Sequence, residues 1–201
     1  MKEVTLKAVV SDDCIGCETC VEICPVEAIS MEDRKAIIDV DNCMGCGNCE
    51  QRCPVYAIEM VKREEPFVAK VDSTKVDQEK LREICKNAKF NPDQLICYCT
   101  GTRAKEVAAA ILLGANTPEK ISRETGVRTG CKVECIQPIL RLLEGAGIHP
   151  TPPEGGHQWY GKTVTAWEVS KEVKDKYSKR GFRFEEDRVL LDNVIEQKEG
   201  K

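Results

Sequence analysis

The sequence predicts an α+β chain: a cysteine-rich N-terminal unit, a small all-α unit and a C-terminal extension. Three observations carry that prediction. An internal repeat with four cysteines per copy lies within the first sixty residues. Four further cysteines bracket a stretch of helical periodicity between 95 and 147. After 147 the composition turns to Pro, Gly and charge. The expected boundaries are 1–62, a linker over 63–94, a helical unit over 95–147 and an extension over 148–201.

Thirteen of the 201 residues are cysteine and two are histidine, with 5% aromatic and 32% charged residues. A formal charge of −4 argues against a nucleic-acid-binding protein, which needs a basic stripe. The longest apolar run, Val107 to Leu113, is far short of the roughly 18 residues of a membrane span. The start, MKEVTLKAVV, lacks the apolar region of a secretory signal, so a cytoplasmic location is expected. In a reducing cytosol so many cysteines point to metal sites, and thirteen would fill three four-cysteine sites with one left over.

Cys14, Cys17, Cys20 and Cys24 form CIGCETCVEICP; Cys43, Cys46, Cys49 and Cys53 form CMGCGNCEQRCP. Both read C-x2-C-x2-C-x3-C-P. Residues 14–29 match 43–58 at 9 of 16 positions, so each half is a copy of one unit. Two residues between ligands let a tight loop wrap an iron–sulfur cube, while the fourth cysteine serves the other copy's cluster. Cys14, Cys17, Cys20 and Cys53 are therefore assigned to one 4Fe–4S cluster, and Cys43, Cys46, Cys49 and Cys24 to the second. Gly16 and Gly45 sit where the backbone passes close to the cluster and φ > 0 is expected. Pro25 and Pro54 hold the preceding cysteine extended. Disulfides would need an oxidising compartment, and zinc ribbons lack the third cysteine and the trailing proline. The pair Gly45 and Gly47 lacks the remainder of a dinucleotide fingerprint.

On these residues, 1 to about 62 resemble a bacterial-type ferredoxin with two 4Fe–4S clusters, all eight ligand positions matching. The resemblance implies a ferredoxin-like βαββαβ arrangement with pseudo-twofold symmetry. Thr5–Val10, Ser30–Glu32, Ala36–Val40 and Glu59–Val61 suit its strands, and short helices follow Cys20 and Cys49. Ile15 and Met44, Val26 and Val55, and Ile29 and Ile58 occupy equivalent positions and are expected to form an apolar jacket around the clusters.

KREEP (62–66) reads as a solvated exit from this unit. Asp77 to Ala88 place Leu81, Ile84, Cys85 and Ala88 on one face of an amphipathic helix that Asp77 can cap. Cys85, on the apolar stripe, reads as a small buried hydrophobe and is left out of the sites.

Cys97 and Cys99 lie in LICYCTGT, and Cys131 and Cys135 in RTGCKVECIQPI, 31 residues apart. Thr102 can start a helix that Gly114 ends. Thr117, Pro118 and Glu119 start a second, which Gly126 stops. A third is expected to begin around Cys131 to Cys135, putting both cysteines on one face, and to run on through Ile139, Leu142 and Leu143. The C-Y-C pair, the gap and TGC before the third cysteine resemble the helical 2Fe–2S module of bacterioferritin-associated ferredoxin. That module also occurs in a nitrogen-fixation cluster scaffold and beside flavin-dependent dehydrogenases. The resemblance implies a 2Fe–2S cluster on Cys97, Cys99, Cys131 and Cys135; zinc, another cluster or no metal stay as alternatives, since the simplest members carry two residues, not three, between the last two cysteines.

In the extension, His149 and His157 read as loop histidines rather than ligands. Trp167 to Tyr177 show a helical stripe, FRF (182–184) alternates like a strand, and Trp159, Tyr160 and Trp167 are aromatic anchors. Residues 150–201 either wrap a partner or pack back on the chain's own units.

With twelve ligating thiolates the folded charge moves to about −10, which steers the chain toward basic redox partners. No phosphate loop, dinucleotide fingerprint or nucleophile–base pair is present, so the chain has no catalytic site of its own. The expectation is an anaerobic electron-transfer subunit of an oxidoreductase. Its flavoprotein partner would carry FAD or FMN, and a nicotinamide cofactor, NAD(P), if one is used, would also sit there. The alternative is a cluster scaffold or metallochaperone.

Overall fold

The computed structural model describes residues 2–131, 134–151 and 160–196. The first module runs strand, helix, strand, strand, helix, strand: β1 (Lys2–Val10), α1 (Thr19–Glu22), β2 (Ile29–Glu32), β3 (Lys35–Ile38), α2 (Asn48–Arg52) and β4 (Ile58–Ala69). β1 pairs antiparallel with β4, from Lys2 against Ala69 to Val10 against Ile58, with an irregularity between Val4 and Leu6. β2 and β3 form a hairpin through Asp33 and Arg34, both at positive φ as a tight right-twisting turn requires. Between the ribbons lies a core of Val4, Ala8, Val26, Ile29, Met44 and Ile58 together with cysteines from both motifs.

KREEP is solvated, with Lys62, Glu64, Glu65 and Pro66 exposed, but it is not an exit: β4 continues through it to Ala69. A run of charges hides this strand, because on a two-stranded ribbon one face stays in water and tolerates them. Arg63 is the working residue of the run. Its guanidinium donates to the carbonyls of Leu6 (3.2 Å), Cys43 (2.7 Å) and Val40, and lies over the Phe67 ring.

The second module comprises α3 (Gln78–Asn87), a short β5–β6 ribbon (Leu95–Cys97 with Thr102–Arg103), α4 (Ala104–Leu112), α5 (Pro118–Thr125) and α6 (Ile136–Gly145). Asp77 caps α3 by accepting from the amides of Glu79 and Lys80. Thr117 caps α5, Pro118 opens it, and Gly126 closes it at φ 76. Thr102 does not start α4; it belongs to β6, and Arg103 takes the cap position, its amide held by Glu106. The helix in the expected linker is part of this core: Leu81, Ile84 and fully buried Cys85 pack with Val107, Ile121, Ile139 and Leu143. Burial pushes the Cys85 thiol up to about 12, as suits an inert hydrophobe.

In the extension, Ser170 caps α7 (Lys171–Ser178), and α8 spans Phe184–Glu196. FRF is not a strand. Phe184 opens α8, whose first turn holds Glu185, Glu186 and Asp187, and carboxylates favour a helix N-terminus over a sheet. Phe182 stacks on Phe184 at 5.8 Å instead. Trp167 precedes α7 and donates its Nε1–H to Asp192 at 2.7 Å. Residues 160–168 pack back on the chain: Tyr160 bonds Glu119 at 2.8 Å, Gln137 bonds Gly161 and Thr163, and Lys162 pairs with Glu144. His149 is exposed; His157 and Trp159 lie outside the described residues. No helix among the described residues is long and apolar enough to cross a membrane.

Candidate metal centres

All thirteen cysteines are free thiols. The structure gathers eight of them around two cavities in the first module. Cys14, Cys17, Cys20 and Cys53 line one cavity, together with Ile15, Met31, Val55 and Ile58. Cys24, Cys43, Cys46 and Cys49 line another, with Val26, Ile29, Met44 and Met60. Each cavity thus takes three cysteines from one copy of the repeat and the fourth from the other.

The backbone repeats this symmetry. Gly16 and Gly45 sit at φ 71 and 59, where a Cβ would lie 2.5 Å from the carbonyl oxygens of Arg34 and Leu6 respectively. Only glycine satisfies both the dihedral and the approach. Cys24 Sγ accepts the Ala28 amide at 3.3 Å, and Cys53 Sγ accepts the equivalent Ala57 amide at 3.2 Å. Cys53 is extended before Pro54.

The expected apolar jacket is one-sided. Met44 is 1% exposed at the second cavity, whereas Ile15, its repeat partner at the first, is 53% exposed. The thiols follow suit. Hydrogen bonds from Thr19 lower the exposed Cys17, while burial, reinforced by Cys46 and Cys43, pushes Cys49 up to about 12. Burial raises Cys20 and Cys24 as well. Buried thiols of this kind become thiolates only when a cation compensates them, a charge that bound iron would supply.

A third group forms in the second module. Cys97 and Cys135 are buried and hydrogen-bonded to each other; the contact from Cys135 lowers Cys97 to about 5 and raises Cys135. The Arg128 amide also donates to both sulfurs. Cys99 and Cys131 are exposed, and the Cys131 amide donates to Cys99 Sγ at 3.4 Å. Gly130 makes room for this pair, since a Cβ there would lie 2.4 Å from Cys99 Cβ.

Cys131 and Cys135 do not share a helix face. α6 begins only at Ile136, leaving Cys135 at its cap and Cys131 in the preceding bend. The reason is Pro138: in the first turn its missing N–H costs nothing, but in a helix begun at Cys131 its ring would clash one turn back. Among the described residues no three His, Cys, Asp or Glu side chains converge on a single-ion site. An all-thiol donor set spread around a cavity fits a cluster better than one ion.

Sequence reasoning missed two supports. Arg63 was concealed in a charge run, and Arg128, buried at 3% exposure with φ 67, carries no signal because non-glycine residues rarely adopt that conformation. Its side chain pairs with Glu119 at 2.9 Å under the Tyr160 ring.

Comparison with known proteins agrees with this layout. Residues 13–57 match the family model of the 4Fe-4S dicluster domain, and residues 95–145 match that of the BFD-like [2Fe-2S] binding domain. No curated protein and no solved structure matches the chain. The chain thus carries one region similar to a 4Fe-4S dicluster domain and a second similar to a BFD-like [2Fe-2S] binding domain, as the sequence leads one to expect.

Proposed function

We propose that this chain is an electron-transfer subunit that relays single electrons to or from a flavin-containing dehydrogenase or reductase. Cys14, Cys17, Cys20 and Cys53 would hold one 4Fe–4S cluster, Cys43, Cys46, Cys49 and Cys24 the second, and Cys97, Cys99, Cys131 and Cys135 a 2Fe–2S cluster. The observation that carries the reading is the pairing of the two cavities, each closed by a cysteine lent from the opposite motif. Such an exchange ties both halves together and suits a protein that retains its metal.

When bound, clusters of these types accept and return one electron at a time. The chain's own residues shape the surroundings. Met44 and Val26 keep water from the second cavity, and the Ala28 and Ala57 amides stabilise negative charge on Cys24 and Cys53. The Arg128 amide does the same for Cys97 and Cys135. Support for a flavoprotein partner is the resemblance of the second module to those accompanying flavin-dependent dehydrogenases. The proposed location is the cytoplasm.

The test is anaerobic isolation with co-purifying chains, iron and sulfide analysis and EPR. About ten irons per chain and a flavin on a co-purifying protein are expected; an iron-free chain overturns the reading. The exposure of Cys99 and Cys131 favours a second reading, a scaffold that gives up its 2Fe–2S unit. Rapid transfer of iron to an apo acceptor, with about eight irons retained, would select it.

A further inference from the structure

The loop that carries Cys131 and Cys135 is held on both flanks by neighbouring residues of the extension. Upstream of it stands Arg128, 3% exposed and at φ 67. That backbone conformation is strained for a residue with a side chain and persists only where its surroundings impose it. Here Glu119 of α5 pairs with the guanidinium at 2.9 Å, and the Tyr160 ring lies 5.3 Å from it. The Tyr160 hydroxyl donates to the same Glu119 oxygen at 2.8 Å. Burial and this carboxylate push that hydroxyl's pKa up, so it stays a donor.

Downstream of the loop, Gln137 lies on α6 two residues past Cys135. Its side-chain nitrogen donates to the Gly161 carbonyl at 2.7 Å, and its oxygen accepts from the Thr163 amide at 2.9 Å and hydroxyl at 3.0 Å. Residues 160–163 thus tie Arg128 to Gln137 from outside the loop that separates them. The Arg128 amide held in this way donates to both Cys97 and Cys135. Hydrogen bonds to ligand sulfurs help set a cluster's potential, and the groups that orient ligands decide how well metal is retained.

We propose that residues 160–163 are a positioning strap: by clamping Arg128 and Gln137 they keep the Arg128 amide on Cys97 and Cys135. The extension then governs how firmly the third cysteine group holds its cluster, and at what potential. This rests on the 2Fe–2S assignment within the electron-transfer reading, and on no partner.

The test uses the full chain, loaded and handled anaerobically. Against an iron chelator, Tyr160→Ala is expected to lose the EPR signal of the reduced 2Fe–2S centre about tenfold faster than wild type. Its midpoint potential is expected to fall by about 59 mV, a tenfold change for one electron. Tyr160→Phe keeps the ring and drops only the hydroxyl bond, so about threefold faster loss is expected. Should Tyr160→Ala not fold, this milder variant decides, and no change in it overturns the strap. Asp192→Ala, which removes the Trp167 bond elsewhere in the extension, should stay within about twofold of wild type. Equal loss from Tyr160→Ala and Asp192→Ala, or an unchanged potential in Tyr160→Ala, overturns the proposal. Glycine adopts the left-handed conformation unaided, so in an Arg128→Gly background Tyr160→Ala should add less than about twofold. A further tenfold there overturns action through Arg128. A wild-type chain without the 2Fe–2S signal sinks the cluster reading and leaves the strap to amide exchange of the metal-free chain. Residues 127–131 should then exchange about tenfold faster in Tyr160→Ala than in wild type, and equal exchange sinks the strap as well.

Discussion

The two halves of the first module are nearly the same sequence in different surroundings. Cys14 corresponds to Cys43, Ile15 to Met44, Pro25 to Pro54 and Val26 to Val55, yet in each pair the member at the second cavity is the more buried. The motif therefore dictates the loop, whereas elements outside it dictate how deeply each lining residue is buried. At the second cavity those elements are Arg63 from β4 and Arg123 from α5. The repeat makes two similar holes, and the flanking chain makes the burial of their lining residues unequal.

The sharpest way to break this comparison is chemical. In the metal-free chain, Cys49 at about 12 carries about a thousandfold less thiolate near neutrality than a thiol with its ordinary value of 9, while Cys17 lies below that value. Limiting iodoacetamide at pH 8 should label Cys17 first and Cys49 last by peptide mapping; equal labelling would erase the distinction. Because the folded value of Cys49 is raised, its contribution to stability is present below pH 9 and is lost as pH rises toward about 12. Denaturation of the metal-free chain should show that loss at alkaline pH.

Glycine substitutions test the backbone half of the comparison. Gly45→Ala drives a methyl against the Leu6 carbonyl, held within paired strand β1, and should cost about 3 kcal/mol. Gly16→Ala meets the Arg34 carbonyl in a hairpin turn that can shift, so about 1–2 kcal/mol is expected. Denaturant unfolding of the loaded proteins reads both values, and the reverse order would show that the turn is the stiffer wall.

Arg63→Gln removes charged hydrogen bonds to Cys43 and Leu6 and should cost about 1–2 kcal/mol. It should also hasten oxygen bleaching of the second cavity toward the rate of the first, as followed by visible absorbance. The smallest effect belongs to a control outside both halves. Hydrogen bonding to Lys162 holds Glu168 down to about 2, so this pair's contribution is present above pH 4.5 and fades as pH falls through 2. The pair is exposed, so Glu168→Gln should change stability least and leave bleaching at both cavities unchanged.

What could be read from sequence was whatever obeys a local rule. The ligand spacing, the two left-handed glycines, the Asp77 and Thr117 caps and the apolar stripe holding Cys85 each follow from a few neighbouring residues. Where two local rules compete, the reading slipped. Cysteines at i and i+4 suggested a helix face, but Pro138 delays α6 past both. Three alternating residues suggested a strand, but the acids that follow made a helix of Phe184. What could not be read was long-range: Arg63 reaching Leu6, Arg123 reaching Val26, and the asymmetry of burial that results.

The first strand has a consequence for how the molecule is made. Lys2, at the head of β1, pairs with Ala69 and reaches Thr129, so β1 waits for two much later stretches before it is secured. On the ribosome the amino-terminal ribbon stays half-zipped until β4 emerges, and the latch onto the helical module closes later still. The strand made before its partners is therefore among the last to be fixed.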